Sequence, residues 1–293
     1  MARTLGCILA ASTLALTSGA SHGVAAEPDP GPGAKHVACD LLLPSRQLAA
    51  GTTTIIGVRF RIADEWHLYW NGQNDSGAAP TLDFSGSDPR LTFGAARWPV
   101  PTRHVAEGDI IDHIYDGECV MLVPLTVAKG VEGELAISLR SEILVCREAC
   151  LPGRLGATAT VRLGAEAGEP TVAAAALAKA EAALPREMKG PMPFDWRMEA
   201  SSLIVEAKAG QRLRRLTFMP GPGCEAATLQ PGCESRSEGG SVPRLEVALA
   251  SKQAKGIIQC EDESGGVTSW NLDGTPPATA SSSPGASKES GSR

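Results

Sequence analysis

The sequence predicts a mainly β chain: two β-sandwich domains joined by a short helix. Three observations carry this. Short runs of alternating apolar and polar residues recur along the chain, and turn-forming residues separate them. A single alanine-rich stretch near 171–184 has no internal Gly or Pro. Eight of the twelve aromatic residues fall between Phe60 and Tyr115, so one core is centred early in the chain.

Residues 1–26 read as a cleaved signal peptide. Arg3 is followed by an apolar run from Leu5 to Leu16 and then by small residues ending in Val24-Ala-Ala26. The run is shorter than the ~20 apolar residues that span a bilayer, and no later segment reaches that length, so no membrane span is expected in the mature chain. Residues 27–35 are rich in Pro and Gly and read as a linker.

The first sandwich is expected over 36–165. Thr54, Ile56, Val58, Phe60 and Ile62 alternate with Ile55, Gly57, Arg59 and Arg61, the period of a half-buried strand. Cys119 to Val127 is apolar on both faces. Pro124 interrupts it, and proline has no N–H for a ladder, so this run is expected at an edge or a bulge. Leu135, Ile137 and Leu139 form another stripe, as do Ala157, Ala159, Val161 and Leu163. A helical connector is expected over 166–193, its helix running from Thr171 and stopping at Pro185. A second, smaller β domain follows over 194–274. Its strand-like runs are Ser202–Ala207, Leu213–Met219, Arg244–Leu249 and Gly256–Gln259, with a long loop from Pro220 to Pro243. The tail, 275–293, has the Ser/Pro/Gly-rich composition of a disordered segment.

The chain carries 27 basic and 33 acidic residues, and loss of Arg3 with the signal leaves 26 against 33. A net acidic surface argues against a nucleic-acid partner. No G-x-S-x-G elbow, H-E-x-x-H helix or phosphate loop is present. No cofactor or resident metal is expected.

What stands out is the pair Cys146 and Cys150, in Leu144-Val-Cys-Arg-Glu-Ala-Cys-Leu-Pro152. An exported protein meets an oxidising compartment, where disulfides form. Four extended residues span ~13 Å, whereas disulfide Cα atoms lie ~4.4–6.8 Å apart. The segment Arg147–Ala149 must therefore fold back if the pair is bonded, as one helical turn would do. Closing so short a ring removes denatured-state entropy worth only about 2 kcal/mol. Three readings stay open for the pair: a structural bond, a redox couple, or part of a copper site with a histidine as third ligand. Cys224 and Cys233 flank a turn-rich stretch and read as a structural disulfide stapling the loop. Cys39 with Cys119 is a possible cross-strand bond, and Cys260 has no assignable partner. His67, inside Trp66-His-Leu-Tyr-Trp70, reads as a packed core histidine. His104 and His113 are placed in a loop with Asp109, Asp112 and Asp116.

Several motifs occur in a fixed order: Trp66-His-Leu-Tyr-Trp70, Asp75-Ser-Gly77, Pro80-Thr81, Trp98-Pro-Val-Pro101, Ile114-Tyr-Asp-Gly117 and Leu144-Val-Cys-x-x-x-Cys-Leu-Pro152. This set resembles the N-terminal periplasmic domain of DsbD-type thiol:disulfide interchange proteins, nearest to the branch with the suppressor-of-copper-sensitivity protein ScsB. The resemblance covers about 36–165. It implies an immunoglobulin-like sandwich, a second immunoglobulin-like domain after Pro193, and a redox-active Cys146–Cys150 pair. It also implies a cap over the pair, by position Pro101–Gly117, with Tyr115 as candidate shield. The cysteines here are separated by three residues, where the best-known members have five. With no C-x-x-C motif in the chain, electrons are expected from a thioredoxin-like or membrane-embedded thiol reductase in trans, and they would pass to oxidised periplasmic proteins. The alternatives are a non-enzymatic sandwich that binds or adapts, and a periplasmic copper-binding protein.

Overall fold

The computed structural model describes residues 29–229, 233–237 and 241–274. The expected signal peptide and tail lie outside the described residues. In chain order the strands of the first half are β1 (Val37–Leu42), β2 (Gln47–Ala49), β3 (Thr53–Ile62), β4 (Leu68–Tyr69), β5 (Leu91–Phe93), β6 (Thr102–Ala106), β7 (Ile110–Tyr115), β8 (Glu118–Val127), β9 (Gly133–Cys146) and β10 (Cys150–Gly164). The helix α1 (Ala173–Ala182) follows. Then come β11 (Arg186–Glu187), β12 (Phe194–Glu199), β13 (Ser202–Ala207), β14 (Leu213–Pro220), β15 (Glu234–Arg236), β16 (Arg244–Ala248), β17 (Lys255–Asp262) and β18 (Val267–Asp273).

The first sandwich stacks the sheet β1-β3-β8-β5 on the sheet β2-β10-β9. The alternation read from the sequence is the packing rule. Ile56, Val58 and Phe60 of β3 and Met121, Val123 and Leu125 of β8 meet Leu135, Ile137 and Leu139 of β9 and Val161 of β10 in one buried core. The second pair of sheets, β11-β18-β17-β14-β15 and β12-β13-β16, encloses a separate core of Phe194, Trp196, Val205, Phe218, Ile258 and Trp270.

The run apolar on both faces, β8, is an inner strand and not the expected edge. Its outer face is covered by α1, where Leu177 and Ala180 pack on Leu42, Val120 and Leu122. Pro124 is tolerated because of where β5 stops. In a strand, a residue's N–H and C=O point the same way, and the Pro124 carbonyl accepts from Gly94 N at 2.8 Å. Its missing donor therefore faces the side where β5 has already ended at Phe93.

Two further expectations shift. Residues 32–36, read as linker, form a 3-10 turn against β10, where Arg154 N donates to Pro30 O at 2.7 Å. The stretch 101–117, read as a loop, is a β-hairpin: β6 pairs with β7, and β7 with β4. Neither strand shows an alternating apolar stripe in its sequence: β6 is exposed or half-buried throughout, and β7 is buried at every position after its first.

Gly57 of β3 lies under the helix. A Cβ there would meet Leu177 Cδ2 at 2.8 Å and Val120 Cγ1 at 3.0 Å. Substitution Gly57→Val should overpack this seam and lower stability by about 1–3 kcal/mol, read as a lower urea midpoint with an unchanged slope.

Candidate functional site

Cys146 and Cys150 are bonded, with Cα atoms 4.1 Å apart. They are directly opposite one another at the end of the long β9–β10 hairpin, and Arg147–Ala149 make the turn. The chain thus folds back as a hairpin tip, not as a helical turn. The hairpin register runs unbroken from Leu163↔Gly133 to Cys150↔Cys146, so fourteen paired positions hold the two sulfurs in place. Cys146 is buried and Cys150 is exposed.

An antiparallel bridge continues the sheet beyond the disulfide. His67 N donates to Cys146 O at 2.9 Å, and Cys146 N donates to His67 O at 3.0 Å. Side chains alternate along a strand, so His67 and Tyr69 share the face toward the sulfurs. The Tyr69 hydroxyl lies 3.4 Å from Cys150 Sγ, 3.4 Å from His67 Nε2 and 3.3 Å from Ser76 Oγ. Ser76 is committed to Asp112: its Oγ donates to Oδ2 at 2.6 Å and its N–H donates to Oδ1 at 2.9 Å. A disulfide sulfur carries no proton, so Tyr69 is the donor in its contact with Cys150, while Ser76 Oγ, its own proton given to Asp112, is a second acceptor for the phenol.

Burial raises the pKa of Tyr69, opposed by the Ser76 hydrogen bond and reinforced by the Asp112 charge. The phenol keeps its proton at neutral pH. Burial also lowers the pKa of His67, with His104 adding repulsion and Asp112 and Asp116 opposing. His67 is neutral at pH 7. Room for the Tyr69 ring depends on Gly77, where a Cβ would come within 2.0 Å of the ring.

The β7 residue that clusters with Cys146 is Ile114 and not Tyr115. Ile114 clusters with Tyr69 and Cys146. Tyr115, one residue on, points to the opposite face, sits in the first core, and donates its hydroxyl to Pro99 O at 2.7 Å. The period of two decides between neighbours, and position in the motif alone does not. On the solvent side Arg147 lies over the Trp66 ring, 5.6 Å from its centroid, and pairs with Glu65 at 3.3 Å.

The other cysteines among the described residues are free thiols: Cys39, Cys119, Cys224, Cys233 and Cys260. The expected staple between Cys224 and Cys233 is not formed. Both are buried, and Cys233 Sγ donates to Thr228 O at 3.6 Å. Cys39 and Cys119 cannot pair because each lies opposite Phe60, on either side of β3. Strands two apart are separated by roughly 9.5 Å, beyond disulfide reach. Burial pushes the Cys39, Cys233 and Cys260 thiols up to about 12, and Cys119 and Cys224 upward as well.

The histidines divide differently from the sequence reading. His67, taken as core, is half-buried beside the disulfide, with its ring 5.8 Å from that of exposed His104. His113 is buried away from the sulfurs, its Nδ1 bonded to Gln73 O at 2.7 Å. Among the described residues no group of three His, Cys, Asp or Glu side chains is placed to hold a metal, and no helix is long and apolar enough to cross a membrane. A cavity of about 610 Å³ between the two halves is lined by Trp70, Trp98, Glu181 and Asp273, away from both cysteines. Sequence reasoning missed Tyr69, Ser76, Asp112 and Ile114. The signal for Tyr69 was its parity with His67, and for Ser76 its place in the Asp75-Ser-Gly77 motif.

Residues 40–160 match the family model of the N-terminal domain of the thiol:disulfide interchange protein DsbD. The chain is similar in fold to the N-terminal periplasmic domain of ScsB from Proteus mirabilis, at 15% identity over 84% of this chain and 96% of that one, with a TM-score of 0.54. BcpA, the major pilin subunit of Bacillus cereus, gives 11% identity over 80% of this chain and 63% of that one. Its TM-score of 0.25 is too low to bear on the fold. No curated protein matches the chain. Residues 40–160 are thus similar to the DsbD N-terminal domain, and the first half has the immunoglobulin-like β-sandwich fold.

Proposed function

We propose that this chain is a thiol:disulfide exchange module of the periplasm, working through Cys146–Cys150. One observation carries the reading: a disulfide at a hairpin tip joins a buried cysteine to an exposed one, with a protonated phenol beside the sulfur of the exposed residue. Of the free thiols among the described residues four are buried and Cys39 is half-buried, and burial raises the pKa of each, which disfavours the reactive thiolate. The family match at 40–160 supports the same chemistry.

Cys150 is the entry point because it is the exposed residue of the pair. A thiolate of a reduced, thioredoxin-like donor attacks Cys150 Sγ. The Cys146–Cys150 bond breaks, and its electron pair leaves on Cys146 Sγ, giving a mixed disulfide. The donor's second thiolate then attacks the donor sulfur of that bond, and Cys150 leaves as a thiolate. Two electrons have entered the pair, two protons are taken up, and the donor is oxidised to its own disulfide. The same steps in reverse, against an oxidised periplasmic protein, pass the electrons on. Tyr69 would stabilise the Cys150 thiolate by donating its hydroxyl, with Ser76 and Asp112 fixing where the phenol sits.

The same proposal divides the chain into an exchange domain over 36–165, a helical connector over 166–193 and a second β domain over 194–274. The two separate cores support that division.

Two experiments test the assignment of roles. With an oxidised partner that carries its own disulfide, Cys146→Ala should accumulate a mixed disulfide, the Cys150 thiolate attacking the partner's bond and displacing one partner thiolate, and Cys150→Ala should give little. Equal trapping by both variants would contradict the assignment. Tyr69→Phe should slow alkylation of Cys150 in the reduced protein at neutral pH about fivefold, the equivalent of roughly 1 kcal/mol for one hydrogen bond. An unchanged rate would remove Tyr69 from the account.

A further inference from the structure

The strand that covers the disulfide is fastened on its other face to both halves of the molecule. Along β7 the residues alternate. Asp112 and Ile114 face the site, where they hold Ser76 and cover Cys146. Ile111, His113 and Tyr115 face away. Tyr115 belongs to the first core, and fully buried Ile111 belongs to the core of the second sandwich. His113 stands edge-on to Trp70.

Between β7 and the second sandwich runs the segment Gly72–Ser76, and its hydrogen bonds face both ways. Toward β7, Asp75 N donates to Ile111 O at 2.9 Å, Ile111 N donates to Asp75 Oδ2 at 2.8 Å, and His113 N donates to Asn74 Oδ1 at 2.7 Å. Toward the second sandwich, Gln73 N donates to Pro220 O at 2.8 Å. The Gln73 side chain then clasps one backbone residue with both ends of its amide. Its Nε2 donates to Ala226 O at 3.1 Å, and Ala226 N donates to its Oε1 at 2.7 Å. The hairpin adds an ion pair, Arg103 with Glu234 at 3.6 Å.

We propose that Gln73 is a positioning residue, the clamp through which the second sandwich holds the cap strand closed over Cys146–Cys150. Lifting β7 pulls Ile111 out of the second core and strains the Gln73–Ala226 pair, so the second sandwich sets how often the buried Cys146 side of the disulfide is uncovered. Buried apolar contact and a paired backbone amide each resist such opening. The clamp gives the second sandwich a role: it regulates access to the exchange site. This inference takes its functional meaning from the exchange reading above, but its geometry does not depend on it.

The test uses the full chain and dithiothreitol as reductant, with thiol trapping of Cys146 and Cys150 read by mass spectrometry. Gln73→Ala should be reduced about tenfold faster than the unmodified chain, a change equivalent to about 1.4 kcal/mol, with faster amide exchange at 110–115. Glu206→Ala serves as control. It removes the ion pairs with Arg197 and Arg244 on another sheet of the second sandwich, and should leave the rate unchanged. An unaltered rate in Gln73→Ala, or an equal rise in the control, overturns the clamp. A small thiol needs no protein partner, so failure of partner exchange and failure of the clamp are read separately.

Discussion

The geometry of the site depends on one backbone contact, the two-hydrogen-bond bridge between His67 and Cys146. It joins the end of the β9–β10 hairpin to the strand that carries Tyr69. Once His67 and Cys146 are opposite each other, Tyr69 lies two residues further along the same face and reaches Cys150. Tyr69 itself pairs with Ile114 across β4 and β7, so the same bridge also sets the cover strand over the sulfurs. Disulfide, phenol and cover are thus consecutive positions of one extended ladder.

That ladder explains which parts of the molecule the sequence disclosed. Alternation in Thr54–Ile62 and Leu135–Leu139 is a local signal, and both runs became strands with the expected buried face. The cysteine pair was legible because of its short spacing and its proline-bounded setting. The partner of Tyr69 was not, because it is contributed by a residue far along the chain. The choice between Ile114 and Tyr115 needed the phase of β7, which only its pairing with β4 fixes. His67 shows the same difficulty: an aromatic setting reads as core, whereas a cross-strand neighbour placed it beside the sulfurs.

The cysteines that do not join the pair show how tertiary placement overrides composition. Cys39 and Cys119 looked like partners because both lie in strands of one sheet, yet β3 runs between them. Cys224 and Cys233 bracket a turn-rich stretch but are packed as small apolar groups in the second core. Among the described residues the cysteines resolve into one disulfide and five buried or half-buried thiols. The one disulfide among the described residues lies at a hairpin tip, with Cys146 buried and Cys150 exposed.

A bond that closes so short a ring contributes little to stability through chain entropy, about 2 kcal/mol, while the hairpin around it is already paired over its whole length. The fold thus holds the bond without depending on it, which is the condition a reversible couple requires. The reduction potential of Cys146–Cys150 measures this directly, by equilibrating the purified chain against glutathione buffers and trapping each thiol. The account predicts a potential above about −300 mV, in the range of exchanging disulfides. A value below that, with the pair remaining oxidised where thioredoxin is reduced, would show a structural bond and contradict it.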